Sequence, residues 1–125
     1  MKEIKPEIKI LKELLENIEL SKKEKAEAII ENMIINLDEN KAVQITKALA
    51  SEDRIKILKL IYINPRKFTE LKEQLNLPSS SMVNNLNQLI NAKLVKHNIK
   101  TNQYEITQFG ITVLRVLALL CNITY

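Results

Sequence analysis

A chain of 125 residues that is 46% apolar can bury one hydrophobic core, and a single Gly with three Pro favours helices over a turn-rich β architecture. Aromatics make up only 4%, so the core is aliphatic and base stacking is a poor way for this chain to hold single strands; one Cys excludes an internal disulfide. The net charge of +4 is uneven: residues 1–40 carry seven Lys against ten acids, giving −3, and residues 41–125 carry twelve Lys/Arg against five acids, giving +7. The lone Cys121 and lone His97 do not make a conventional zinc site, so no metal and no cofactor is expected. No apolar run reaches the length of a membrane span and no signal-peptide pattern is present, so the expectation is a cytoplasmic protein with no membrane partner.

In chain order, Pro6 suits the first turn of a helix. Ile8, Leu11, Leu15 and Ile18 then recur at spacings of three and four, an amphipathic stripe. Ser21-Lys22-Lys23-Glu24 reads as a capping box that starts a second helix, running to about Leu37 with Ala26, Ile29, Ile30 and Met33 on one side. Asp38-Glu39-Asn40 breaks it, and Ala42 to Leu49 forms a short third helix. Ser51 is an N-cap for a fourth, which the Asn64-Pro65-Arg66 segment ends. Thr69 to Gln74 is a short helix, Asn76-Leu77-Pro78 a turn, and Ser79 to Asn91 the next helix. Leu94–Ile99 and Gln103–Ile106 alternate as two strands of a hairpin around Lys100-Thr101-Asn102. Thr107 caps a last helix that runs through Cys121.

The helix at 79–91 has two unlike faces. Met82, Leu86, Leu89 and Ile90 cluster on one, against Leu58, Leu71 and Leu75. Ser80, Asn84, Asn87, Gln88 and Asn91 cluster on the other. That outward face is uncharged and amide-rich, although Lys and Glu are better helix formers and abound elsewhere. Asn can bond adenine twice and Ser can bond bases or a phosphate, so the face suits the edges of double-stranded DNA. The candidate DNA-binding set is Ser79, Ser80, Ser81, Asn84, Asn85, Asn87 and Gln88, joined by Lys96, Lys100 and Asn102 of the hairpin. His97 alternates with Val95 and Ile99 and is expected to pack beside the hairpin rather than to ligate or catalyse.

The last helix is apolar nearly all round, with Arg115 its one charge, and its own domain cannot bury every face. Burial against a second copy is the simplest solution. The expected dimer interface comprises Val113, Leu114, Leu117, Leu120 and Cys121, with Ile8, Leu11, Leu15 and Ile18 joining it or folding onto their own chain.

From Ala48 to Thr107 the sequence resembles the ArsR-type winged-helix repressors, particularly archaeal members. Ala48-Leu49-Ala50-Ser51-Glu52-Asp53-Arg54-Ile55-Lys56-Ile57-Leu58 is similar to the family's "Leu-x-x-x-x-Arg-x-x-Ile-Leu" opening. Leu75 to Leu86 matches its turn and recognition helix without gaps. Ala92-Lys93-Leu94-Val95 resembles its "Ala-Gly-Leu-Val", and Tyr104-Glu105-Ile106-Thr107-Gln108-Phe109-Gly110 its "Tyr-x-Leu-Thr-x-x-Gly". The resemblance covers about half the chain. It implies a mostly α fold with a small β-hairpin (α+β), a winged helix-turn-helix over 41–107. An N-terminal helical extension (1–40) and a C-terminal dimerisation helix (108–125) flank it. The family's Cys-x-Cys metal site is absent, since Lys67-Phe68-Thr69 stand there, and residues 108–123 hold neither His nor acid. Metal sensing is therefore not carried over.

The resulting expectation is a homodimeric regulator of transcription, a repressor, that binds specific double-stranded DNA. The alternative is a winged-helix module for protein contacts, whose face would carry aliphatic or aromatic anchors instead. An enzyme finds no support: there is no Ser/His/Asp order, acidic cluster or Gly-rich phosphate loop.

Overall fold

A computed structural model describes residues 5–124. The elements are α1 (Pro6–Ile35), α2 (Glu39–Leu49), α3 (Glu52–Ile63), α4 (Phe68–Leu75), α5 (Ser79–Asn91), β1 (Val95–Asn98), β2 (Gln103–Ile106) and α6 (Gln108–Thr124). They divide into two compact units that meet at Glu39 and Asn40.

The first unit is α1, and it corrects the sequence reading. One 30-residue helix stands where two were expected, and Ser21 to Glu24 lie inside it rather than at a start. The reason is local. No Gly and no Pro follows Pro6 within the helix, and the Ser21–Lys25 stretch is mostly Lys and Glu; propagating a helix through good formers costs less than stopping and nucleating again. Beyond its end, the Asn36 side-chain amide donates to the Asn32 carbonyl (2.9 Å). No residue of α1 is buried.

The second unit holds the core. α2 starts at Glu39, three residues before the expected Ala42. The Ser51 hydroxyl accepts from the Arg54 N–H (3.3 Å) and caps α3, as its position suggests. Ile57, Leu58 and Ile61 of α3, Leu71 of α4, Met82, Leu86 and Leu89 of α5, and Leu94 and Val95 are all buried together. Burial of each large aliphatic side chain contributes roughly 1.5–3 kcal/mol. α4 closes on Asn76 in the left-handed region (φ 51°), where its N–H donates to the Glu73 carbonyl and that of Leu77 to the Lys72 carbonyl (3.3 and 3.2 Å). This closure aims the chain through Pro78 into α5.

β1 and β2 pair antiparallel in the register Val95 to Ile106 and Asn98 to Gln103. β1 is shorter than expected, since Leu94 is tied to the end of α5 and Ile99 belongs to the turn. Arg66 adds a third strand contact that the sequence reading missed. Its N–H donates to the Tyr104 carbonyl (3.1 Å), and the Tyr104 N–H donates back (2.7 Å). The segment expected only to end α3 thereby anchors the hairpin.

Thr107 secures α6. Its hydroxyl donates to the Lys93 carbonyl (2.7 Å) and accepts from the Gly110 N–H (2.9 Å). A Cβ at buried Gly110 would run into the Leu94 carbonyl oxygen and lie 2.8 Å from Ile106 Cγ1, so this crossing admits only Gly. Two expected interface residues of α6 turn inward: Val113 and Leu114 pack on the unit's own core. Leu117 and Cys121 line a groove of about 530 Å³ against Ile55 and Tyr62 of α3. The outward stripe consists of Val116, Leu119, Leu120 and Ile123, spaced like one face of a helix seam.

Candidate nucleic-acid interface

α5 presents the expected amide face. Ser79, Ser80, Asn84, Asn87, Gln88 and Asn91 are exposed, while Met82, Leu86 and Leu89 are buried beneath them. Ser81 is half-buried at the edge of that face. The hydrophobic stripe thus fixes which side of α5 faces out. The side facing out offers short donors and acceptors with no charge to bias them toward phosphate.

Asn85 departs from the expected set. It is 7% exposed and belongs to the inward stripe with Met82, Leu86 and Leu89. Its Oδ1 accepts from Arg54 Nη1 (3.1 Å), so it faces α3 and not a base edge. The helical wheel explains the correction: position 85 lies three residues after 82 and four before 89, on the core side.

The hairpin is organised by its own side chains. Asn98 Oδ1 accepts from the Lys100 N–H (3.0 Å), and Asn98 Nδ2 donates to Glu105 (2.9 Å). Asn102 adopts a left-handed backbone (φ 54°), and its Oδ1 lies 3.0 Å from His97 Nε2. The His97 ring stacks on Tyr104 at 4.6 Å between centroids. His97 therefore packs along the hairpin, as expected. Lys96 forms an ion pair with Glu105 (3.7 Å), whereas Lys100 at the turn forms none among the described residues. Exposed pairs of this kind are weak, so Lys96 stays able to meet a phosphate, but Lys100 needs no exchange of partner.

Two residues of the surface went unread in the sequence. Gln44 and Lys47 of α2 border the same surface hollow as Gln88 and Asn91. They extend the polar face sideways with an amide and a cation. Nothing local to α2 signals this role, because it depends on how α2 is set against α5. No cluster of His, Cys or acids that could hold a metal occurs among the described residues, and none of their helices is long and apolar enough to cross a membrane.

No family profile and no curated protein sequence matches the chain. Solved structures do. The transcriptional regulator HlyU from Vibrio vulnificus is 26% identical, with a TM-score of 0.57 over 73% of this chain and 96% of that one. Rv0081 from Mycobacterium tuberculosis is 30% identical, with a TM-score of 0.57 over 68% of this chain and 89% of that one. Mb0332 from Mycobacterium bovis, a homodimeric winged helix-turn-helix DNA-binding domain and possible ArsR-family regulator, is 19% identical and alike in fold, with a TM-score of 0.61 over 66% of this chain and 80% of that one. These three come from Vibrio and Mycobacterium, so they lend no support to an archaeal affinity. The fold is a winged helix-turn-helix, mostly α with one β-hairpin, as the sequence resemblance implies.

Proposed function

We propose that this chain, an ArsR-like winged helix-turn-helix protein, is a DNA-binding regulator of transcription that acts as a homodimeric repressor on specific double-stranded sites. α5 enters the major groove, and the β1–β2 hairpin lies on the phosphates. The observation that carries the reading is the face of α5. Exposed Ser80, Asn84, Asn87, Gln88 and Asn91 stand over a buried aliphatic stripe, in the part of the chain with a +7 charge balance. Amides suit base edges, and the surrounding Lys suit phosphates.

Two exposed apolar surfaces support a homodimer. One is the α6 stripe, in which Leu119 is 62% and Ile123 is 77% exposed. The other is α1, where Ile8, Leu11, Leu15 and Ile18 are all about half exposed or more. Two-fold symmetry would set two α5 helices about 34 Å apart and require a palindromic site with half-sites about one turn apart.

The test is selection of duplexes from a random-sequence pool, followed by affinity measurement against salt. If a dimer neutralises ~6 phosphates, the log–log slope is about −5. A slope near zero, or no duplex retained at low salt, would remove the DNA reading.

A further inference from the structure

We infer that Arg54 and Asn85 form a latch that sets the orientation of α5 and ties it to the end of α2, so that sequence discrimination depends on two residues that do not touch DNA. The inference rests on the reading of α5 as the recognition helix. Among the described residues, Asn85 is the one polar side chain buried in the core. An aliphatic residue would fill the same stripe position as well as Met82 or Leu86 does. An amide is tolerated there because it is hydrogen-bonded.

The partner fixes the geometry. A guanidinium donates and never accepts, so the Asn85 amide must present its oxygen to Arg54. Nη1 donates to Asn85 Oδ1 (3.1 Å), Nε to the Ala48 carbonyl (2.7 Å) and Nη2 to the Lys47 carbonyl (2.9 Å). Three acceptors are thus held in the plane of one rigid fork. Two of them are last-turn carbonyls of α2, where a cation is also favoured by the helix dipole. The Arg54 N–H is itself held by the Ser51 cap of α3. One side chain therefore joins the end of α2, the start of α3 and the middle of α5.

Apolar packing alone tolerates small rotations of a helix about its axis, whereas a buried directional bond selects one arrangement. Asn84 is the neighbour of Asn85 in sequence, and Asn87 and Gln88 lie within one turn of it. Any rotation that strained the latch would swing all three across the groove. Gln44 and Lys47, on the same α2 that the latch grips, would move relative to them.

The experiment compares affinity for a duplex selected by the wild-type protein with affinity for a scrambled duplex of the same composition. Asn85→Leu should keep the fold and lower the ratio about tenfold, with scrambled-duplex binding changed less than about twofold. Arg54→Met should act alike, and the double variant should lose little more, as members of one unit do. Asn85→Asp keeps an acceptor for Arg54 and should restore most of the ratio. If Asn85→Leu fails to fold, Asn85→Ala gives the same comparison. In the DNA-free protein, amide hydrogen exchange should quicken over residues 47–50 in Asn85→Leu, although the substitution lies on α5. A folded Asn85→Leu with the wild-type ratio overturns the inference, as does unchanged exchange at 47–50. If the wild type selects no duplex, the recognition-helix reading has failed, and the exchange measurement alone decides the latch.

Discussion

Lys93 bears a conformational cost that its sequence position explains. It sits where the resembled family carries Gly, and its backbone is left-handed, with φ at 64°. Its N–H donates to the Ile90 carbonyl (2.9 Å) and that of Leu94 to the Leu89 carbonyl (3.0 Å), closing α5 in the manner that favours Gly. A side chain with a Cβ costs roughly 1 kcal/mol there. Lys93→Gly should therefore raise stability by up to about 1 kcal/mol, or a melting temperature higher by a few degrees in calorimetry. An unchanged or lower melting temperature would show that the Lys side chain contributes contacts that offset its strain. On the amide face proposed to read DNA, Asn84→Ala should cost roughly 1–3 kcal/mol on a selected duplex and little on a scrambled one. Lys100→Ala should weaken both alike, as loss of a phosphate contact does. Equal effects of Asn84→Ala on both duplexes would place base readout elsewhere on α5.

At the scale of elements, the sequence was legible wherever a local pattern decides the structure. The Ser51 cap, the Pro65 stop, the two faces of α5 and the Thr107 cap all follow from residues within a few positions of one another. It was less legible where distant segments decide. The Arg66–Tyr104 strand contact joins residues on either side of two helices, and no periodicity announces a single pair. At Asn85 the residue type suggests a base contact, while its place on the wheel puts it inside. In α1 the Ser21–Glu24 capping-box pattern suggests a new start, but the good helix formers around it carry one helix through. For α6, apolarity all round was visible, but which side faces its own core was not. Val113 and Leu114 turn in, whereas Val116 and Leu119 remain out. That division yields a cleaner test than the apolar total. Val116→Asp with Leu119→Asp should give monomers by light scattering while the second unit stays folded by circular dichroism. Dimers that persist in this variant would move the interface away from α6.

At the scale of the whole molecule, the charge is divided along the chain, while exposed apolar surface occurs in both parts, on α1 and on α6. The +7 balance lies after residue 40, and the −3 balance lies in the segment that contains α1. α1, about 45 Å long by its residue count, exposes a dozen large aliphatic side chains and buries none. Exposed apolar surface of that extent marks an interaction site. Its helix should accordingly strengthen with protein concentration, read as a melting transition of the first unit that shifts upward from nanomolar to micromolar solutions. A transition that does not move with concentration would mean that α1 holds its shape without a second copy. The same feature bears on dosage. A protein that must meet its own kind before it can grip a two-fold site responds to the square of its abundance, not to its abundance. Occupancy plotted against total protein should climb with a log–log slope near ~2 at the dilute end, then flatten towards 1. At that slope a threefold rise in expression would raise a low occupancy about ninefold, so an apolar surface that pairs two copies would sharpen the response of the site to dosage.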